Sequence, residues 1–331
     1  MAKRTFLVSD ISPMEARSAA SLPDDEGWQY EPKWDGFRCL AYVAQNAVHL
    51  CSKAGKPLGR FFPEIVDLLA RHSRTPCVLD GELIVIADGH AAFDALQARL
   101  HPAESRIARL SRETPARYAL FDCLQSGDEA LIDAPLDRRR AVLRRLVTAF
   151  DEAPLFLSEA TFDLSQAQEW LAESGGITDG VVAKRRDDGY HPGERVMVKV
   201  KRRRSADCVV GGFRYASNEP VVGSLLLGLY DDEGLLDHVG FTSGISKAER
   251  VELTPRLERM IEPPGFTGRA PGSPSRWSTD RSAAWQPLRP ELVVEVGFDQ
   301  VTGERFRHGT RFMRWRPDKA PRQCRMEQLL S

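Results

Sequence analysis

A lysine just before an Asp-Gly pair is the group in this sequence best suited to nucleophilic chemistry. Lys33-Trp34-Asp35-Gly36 follows Pro32 and precedes Phe37-Arg38. Pro32 and Gly36 predict a tight loop that brings the backbone close to a ligand. A lysine attacks phosphorus only as the neutral amine, and nearby positive charge or desolvation favours that form. Alone, the pattern is also typical of a surface turn with a solvated lysine, so other residues must support the functional interpretation.

Charged side chains recur downstream in runs that are typical of β-strands. One run has Asp80-Gly81-Glu82 at its centre, and another begins with Asp179 and ends with Lys184. A third run alternates apolar and basic residues, which places Lys199 and Lys201 on one face of a strand. Carboxylates at the ends of strands can bind Mg²⁺ or hold a ribose hydroxyl. These residue types make chemical sense around a nucleophilic lysine.

Two further motifs complete an ordered set of six. An apolar run contains Phe121-Asp122, and a basic stretch, Arg314-Trp315-Arg316-Pro317-Asp318-Lys319, lies near the C-terminus. The set resembles the covalent nucleotidyltransferase superfamily of DNA ligases, RNA ligases and mRNA capping enzymes. Segments between the motifs, such as 93–97, 240–244 and 307–311, are similar to the small bacterial ATP-dependent DNA ligases of the LigC type and to the ligase module of LigD. The resemblance extends from Pro13 to about Arg325.

The resemblance implies a reaction in three steps with ATP and Mg²⁺ (or Mn²⁺) as cofactors. Lys33 takes AMP from ATP and passes it to the 5′-phosphate at a nick in double-stranded DNA, and AMP leaves as the 3′-hydroxyl attacks. The residues that the family would use for catalysis besides Lys33 are Asp35, Arg38, Lys199 and Lys201. The residues that would bind the nucleotide are Glu31, Arg38, Lys53, Glu82, Phe121, Lys184, Lys199, Lys201, Arg316 and Lys319. The metal ligands would be Glu82 and Asp179.

The family also suggests what several of these side chains do. Phe121 would stack on the purine, Glu82 would contact the ribose or the metal, and Asp35 would anchor the loop. Arg38 and Lys53 would contact the ribose and the phosphates of the nick, whereas Lys199 and Lys201 would hold the α-phosphate. Arg316 and Lys319 would orient the β- and γ-phosphates.

The sequence departs from the family pattern at two of these positions. Asp179 stands where Glu is usual, which keeps the charge but shortens the side chain by one methylene. Lys53 stands where arginine is common, which keeps the charge but loses the bidentate guanidinium.

Composition predicts a soluble protein of about two domains. The chain has 331 residues, 42% hydrophobic and 28% charged, with no apolar run of membrane-spanning length. Because its six cysteines form no C-x-x-C pair, we expect them to be reduced thiols. Its seven histidines lack the spacing of metal ligands, so no structural metal is expected. We expect a cytoplasmic, nucleoid-associated monomer, with a repair polymerase or end-binding proteins as candidate partners.

The net charge of −1 conceals two basic runs. Residues 184–204 carry a net charge of +6 and residues 305–325 carry +7. Such runs are usually solvated faces. Because these two flank the last two motifs, they predict a track for the phosphate backbone of DNA.

The periodicities divide the chain at a basic, apolar-free stretch, 201–205, which we interpret as a hinge. The predicted first domain, 1–203, alternates strands (37–43, 77–87, 117–124, 178–184, 195–201) with helices (61–72, 136–149, 164–173). The predicted second domain, 204–331, has one helix from 246 to about 261 and five short strands (207–213, 224–230, 235–241, 292–298 and 311–315). This pattern suggests an all-β barrel of the OB type. The predicted fold class is α+β: an ATP-grasp-like nucleotidyltransferase domain of antiparallel sheets with helices, followed by an OB-fold barrel.

Two other classes of function fit part of the sequence. A capping-type guanylyltransferase or an RNA ligase would share the lysine chemistry and the barrel. A non-catalytic OB-fold module would bind DNA only, although the presence of every charged motif residue disfavours it. The nucleoside triphosphate that forms the covalent adduct would separate the first of these from a DNA ligase.

Overall fold

The computed structural model describes residues 11–44, 47–72, 74–87, 89–202, 204–217, 219–272 and 284–329. The chain forms two compact units, Met1–Arg202 and Arg203–Ser331. Within the described ranges, no helix is both long enough and apolar enough to cross a membrane.

The first unit contains twelve strands and five helices in its described part. The strands are β1 Ala16–Ser18, β2 Trp28–Trp34, β3 Phe37–Ala44, β4 Ala47–Ser52, β5 Cys77–Ile84, β6 Ile86–Ala87, β7 His90–Ala91, β8 Arg117–Ser126, β9 Glu129–Ala130, β10 Leu155–Leu157, β11 Thr178–Arg185 and β12 Met197–Val200. The helices are α1 Pro63–Arg71, α2 Phe93–Ala98, α3 Glu104–Glu113, α4 Leu136–Phe150 and α5 Leu164–Glu173.

Two mainly antiparallel sheets organise this unit. One has the order β1-β12-β11-β2, and the other has the order β10-β8-β5-β3-β4 with β9 on β8. Alternate residues of β3 face opposite sides: Cys39 and Ala41 join the core with α1 and α4, whereas Leu40 and Tyr42 join a second cluster that includes Met197 of β12. Because both faces of β3 are covered, its sequence is almost continuously apolar.

The second unit is an all-β region with one long helix. Its elements are β13 Arg204–Tyr215, β14 Val222–Tyr230, β15 Leu236–Thr242, α6 Lys247–Glu258, β16 Gln286–Pro287, β17 Val293–Phe298, β18 Val301–Thr302, β19 Arg305–Phe306 and β20 Arg311–Trp315. The main sheet has the order β15-β14-β13-β17-β20, and a bridge from Thr242 to Thr310 connects its two edges. A single apolar core fills it. The architecture is consistent with an OB-type barrel, and the predicted α+β fold class is confirmed.

The periodicity found many of the helices and strands but missed several others. Helix α5 has the predicted bounds, and Asp163 caps it by accepting a hydrogen bond from the Ser165 amide. Gln166, three residues after this cap, donates to Glu169 and does not complete a capping box. The main errors are the strands β2 and β4 and the helices α2 and α3, none of which was predicted. A six-residue helix such as α2 is too short to show a helical period.

Candidate active site

Lys33 lies where the chain passes from one sheet of the first unit to the other. It is the penultimate residue of β2, so the prediction that it sits in a loop is wrong. The turn consists of Asp35 and Gly36, after which β3 begins in the other sheet. A Cβ on Gly36 would lie 2.1 Å from the Leu83 carbonyl oxygen, so the turn can approach β5 only with glycine.

Asp179 joins two of the predicted lysines. One carboxylate oxygen lies 2.7 Å from Lys33 Nζ and the other lies 3.0 Å from Lys201 Nζ, and the Asp179 side chain is only 5% exposed. The next residue, Gly180, has φ of +149°, and a Cβ there would lie 2.1 Å from the Val200 carbonyl oxygen. The Asp-Gly pair therefore lets β11 bulge toward β12 and brings the carboxylate between the two ammonium groups.

Lys199 stands in a cluster of like charges. Burial lowers its pKa, and the nearby charges of Lys33, Lys201 and Lys53 lower it further. Lys53 itself forms an ion pair of 2.9 Å with Glu15. Four positive charges thus converge on one region of the first unit, which suits a ligand with several phosphates.

A buried carboxylate orients Arg38. Asp80 is fully buried and accepts from Arg38 Nε and Nη2 at 2.6 and 2.7 Å, and it also accepts from the Tyr190 hydroxyl at 2.7 Å. The Tyr190 hydroxyl in turn accepts from the Met14 amide. This fixed guanidinium lies 4.5 Å from the centroid of the Phe121 ring. Arg38 and Phe121 therefore hold each other in place.

Glu31 and Lys184 form a buried ion pair between neighbouring strands. Their side chains are 3% and 5% exposed, and the Lys184 Nζ lies 2.7 Å from a Glu31 oxygen. Burial lowers the pKa of Lys184, against the opposing effect of Glu31. The ammonium also lies 4.4 Å from the centroid of the Phe121 ring. The pair connects β2 to β11 directly behind this aromatic residue.

One cavity collects most of the predicted residues. Glu82 lies in it, and burial raises the pKa of Glu82 to about 7, although Arg38 and Lys33 oppose this shift. The cavity lining includes residues of both sheets: Pro13, Met14, Glu15, Ala16, Glu31, Pro32, Lys33, Trp34, Arg38, Lys53, Glu82, Phe121, Val182, Lys184, Met197 and Lys199. Asp179 and Lys201 adjoin the cavity, because Asp179 forms ion pairs with both Lys33 and Lys201. The negative charge of Asp35 raises the pKa of Glu82.

The carboxylates at this cavity suit a divalent cation that takes only one or two protein ligands and completes its coordination shell with water and phosphate oxygens. Across the described residues, no group of three His, Cys, Asp or Glu side chains could hold a metal by itself. Mg²⁺ usually takes one or two carboxylates and completes its shell with water and substrate phosphates. Glu82 and Asp179 both lie near Lys33, and a cation there would offset the cost of burying their charges.

The last two predicted residues belong to the second unit. Arg316 donates to Asp207 at 2.7 Å and, through Nε and Nη2, to both oxygens of Asp318. Lys319 forms an ion pair of 3.1 Å with Asp207. The tertiary structure thus gathers Arg316 and Lys319 on one carboxylate of a strand more than a hundred residues earlier.

The fold neutralises much of the basic run 305–325. Arg314 pairs with Glu295, and Arg325 pairs with Asp232 and Glu327. The run 184–204 is paired in the same way, through Lys184, Arg185, Arg186, Arg195 and Lys201, each of which forms an ion pair with an acid. In this run Arg202 donates to the carbonyl of Ser174 and Arg204 to the carbonyl of Asp299. Charge counted along the sequence overstates the local potential because the partner acids come from distant strands. Arg203, in the middle of the predicted hinge, lies outside the described residues.

Sequence reasoning missed two residues of this site. Asp80 was part of a recognised motif, but nothing in its spacing showed that it would bind Arg38. Tyr190 follows a loop and has no motif of its own. The six cysteines are free, as predicted, and all but Cys51 are buried.

Comparison with known proteins agrees with the architecture. The fold and site define a covalent nucleotidyltransferase of the ligase type. Residues 13–201 match the family model of the ATP dependent DNA ligase domain, and residues 218–319 match that of the ATP dependent DNA ligase C terminal region. The chain belongs to the ATP-dependent DNA ligase family, and it is an enzyme of that family.

Relatives align along nearly the whole chain. It is 43% identical to DNA ligase C2 of Mycolicibacterium smegmatis over 96% of this chain and 94% of that protein. It is 41% identical to DNA ligase C of Mycobacterium tuberculosis over 96% and 93%. Among solved structures, the ligase domain of M. tuberculosis LigD matches with a TM-score of 0.51 and 28% identity, covering 95% of this chain and 97% of that chain. The predicted relationship to LigC and LigD is confirmed.

Proposed function

We propose that this ligase seals nicks in double-stranded DNA through an adenylate on Lys33. The observation that carries the proposal is the position of Lys33 at a cavity where a buried carboxylate and several lysines converge. Nζ attacks the α-phosphorus of ATP as a neutral amine; a P–N bond forms, the P–O bond to pyrophosphate breaks, and the amine proton passes to solvent. A 5′-phosphate oxygen then displaces the lysine, and the 3′-hydroxyl finally displaces AMP.

The other cavity residues position the nucleotide. Phe121, which contacts Arg38 and Lys184, offers its ring to the purine. Arg38 and Lys53 address the ribose and the nick phosphates, Lys199 and Lys201 stabilise charge on the α-phosphate, and the buried pair of Glu31 and Lys184 supports the base-binding wall. Asp35 holds the turn after Lys33.

Mg²⁺ or Mn²⁺ is the proposed metal cofactor, with Glu82 and Asp179 as its protein ligands. When bound, it would offset phosphate charge and orient pyrophosphate for departure. Asp179 already lies between Lys33 and Lys201, so it reaches the reacting groups despite being one methylene shorter than glutamate.

The finer biological setting is also a proposal. We infer that the protein acts as a monomer in the cytoplasm, associated with the nucleoid, and serves DNA repair. The similarity to LigD proteins, which are named for non-homologous end joining, makes repair polymerases and end-binding proteins the candidate partners.

The first experiment follows the covalent adduct. The protein is incubated with α-labelled ATP or GTP and Mg²⁺, the label is mapped, and nicked DNA is then added. We expect label from ATP only, on Lys33, released on DNA sealing. Lys33→Arg retains the charge next to Asp179 but is always protonated, so it should fold normally and form no adduct. An adduct in Lys33→Arg, or a preference for GTP, would contradict the proposal.

A second experiment separates the steps. In this proposal Arg316 and Lys319 bind the β- and γ-phosphates of ATP, which leave as pyrophosphate only in the first step. The double alanine variant should therefore fail to form the adenylate, yet seal DNA that already carries a 5′-adenylate at nearly the normal rate. An equal loss in both assays would refute this division of roles.

A further inference from the structure

Asp207 lies near the start of the central strand of the barrel and contacts two cations of the C-terminal motif, Arg316 and Lys319. One oxygen lies 2.7 Å from Arg316 Nη1 and the other lies 3.1 Å from Lys319 Nζ. Its side chain is only 10% exposed. A nearly buried carboxylate that divides its two oxygens between two cations fixes the distance between them and screens their mutual repulsion.

The backbone holds Asp207 itself in place. Its amide donates to the side-chain oxygen of Gln328, and the Gln328 side-chain nitrogen donates back to the Asp207 carbonyl. On β17, the neighbour across the strand pair is Glu295, which lies 3.8 Å from Arg316 and pairs with Arg314. Asp207 is therefore a rigid anchor on the sheet.

Asp318 binds the same guanidinium from the outside. Its two oxygens accept from Arg316 Nε and Nη2, the edge of the guanidinium that is suited to a bidentate phosphate or carboxylate. Asp318 is 62% exposed, whereas Asp207 is 10% exposed. A phosphate that approaches Arg316 would therefore replace the exposed Asp318 on the outer edge and leave the contact with Asp207 intact.

We propose that Asp207 is a positioning residue for the nucleotide step of ligation. It holds Arg316 with its Nε/Nη2 edge outward and keeps Lys319 beside it, so that both cations meet the β- and γ-phosphates of ATP together. This inference rests on the proposed role of the C-terminal motif. Asp207 itself does not touch the substrate and acts only through Arg316 and Lys319.

The test uses Asp207→Asn in the full-length protein. Asparagine keeps the size and an acceptor for Arg316 but removes the charge and the acceptor for Lys319. We expect adenylate formation from ATP to fall by roughly tenfold or more, equivalent to one charge-assisted hydrogen bond. Sealing of DNA that already carries a 5′-adenylate should change less than about twofold. In the reverse reaction, pyrophosphate attacks the lysyl-adenylate, the P–N bond breaks and ATP leaves; the pyrophosphate concentration for half-maximal loss of the adenylate should rise.

The matched control is Asp237→Asn. Asp237 lies on β15 of the same barrel, is 13% exposed and pairs with Arg269 at 3.0 Å. It should show a similar loss of thermal stability with unchanged adenylation and pyrophosphate response. If Asp207→Asn lost both steps equally, or behaved like this control, Asp207 would be a stability residue only and the inference would be overturned.

A combined variant keeps the result decisive if Asp207→Asn alone folds poorly. In the background Lys319→Ala, the second oxygen of Asp207 has no lysine to position, so adding Asp207→Asn should reduce adenylation by a smaller factor than it does in the wild-type protein. An additive loss would overturn the inference. If the Arg316→Ala/Lys319→Ala variant itself shows no selective loss of adenylation, the proposed function of the motif fails; if it does and Asp207→Asn does not, only the inference about Asp207 fails.

Discussion

Replacing Asp80 with asparagine is expected to damage both the stability of the first unit and its reaction with ATP. Asp80 is fully buried and bonds the Arg38 guanidinium through both oxygens, at 2.6 and 2.7 Å. Removing one partner of a fully buried pair costs about 3–5 kcal/mol because the other charge remains in a poorly solvated site. Arg38 is 21% exposed, so water offsets part of this and we expect a value near 3 kcal/mol.

The assay must separate the two units because unfolding of such a chain need not be two-state. Hydrogen exchange measured by mass spectrometry on peptides covering β5 should show the loss, while peptides covering β14 serve as the internal reference. Replacing Arg38 with methionine in the Asp80→Asn background removes the guanidinium charge that has lost its carboxylate partner. The double variant should therefore recover at least half of the lost protection, although it should not transfer AMP.

The matched control is Glu64→Gln, which breaks another ion pair of similar burial. Glu64 is 18% exposed and Arg99 is fully buried, and their atoms lie 2.7 Å apart outside the cavity lining. This variant should lose comparable stability and keep adenylation per folded molecule. The reasoning is refuted if Asp80→Asn costs less than about 1 kcal/mol, or if it impairs AMP transfer no more than Glu64→Gln does.

Three further expectations concern the backbone, pH and salt. Gly36→Ala should abolish adenylation and cost about 1–3 kcal/mol, measured by the same exchange assay, because its Cβ would overlap the Leu83 carbonyl; normal activity would contradict this. Burial lowers the pKa of His238 to about 3. The folded state therefore keeps it neutral, and stability falls as pH drops below about 6.5, by about 2 kcal/mol at pH 5; His238→Gln should remove this pH dependence in melting experiments. DNA binding should weaken with salt, and each phosphate contact should contribute about −0.9 to the slope of log K against log salt concentration. Neutralising residues 202–204 should flatten that slope. Arg325→Ala should leave the slope unchanged, because Arg325 is already paired with Asp232 and Glu327.

The sequence already determined the class of fold and the chemistry. Long elements such as α4 and β8 carry enough residues to show their period, and the strand at β20 was predicted with the bounds that the structure has. The family followed from six ordered motifs, because their residue types are required by the chemistry and do not depend on the details of packing.

Short elements and the bends between sheets were beyond the sequence. Lys33 was expected in a loop but lies in β2, because that strand pairs with β11 about 150 residues later and nothing local shows the pairing. The glycine at position 36 was recognised as a turn residue, whereas the contact with Leu83 that requires it is visible only in three dimensions.

The partners of the charged residues were decided entirely by tertiary structure. Ion pairs such as Arg38 with Asp80, Lys33 with Asp179, and Lys319 with Asp207 join residues that are 42 to more than 100 positions apart in the sequence. A charge count along the chain therefore gave two strongly basic runs, whereas the fold pairs many of the cations in both runs with acids. Sequence fixes which charges are present, but only the pairing of distant strands decides which of them remain available to a nucleotide or to DNA.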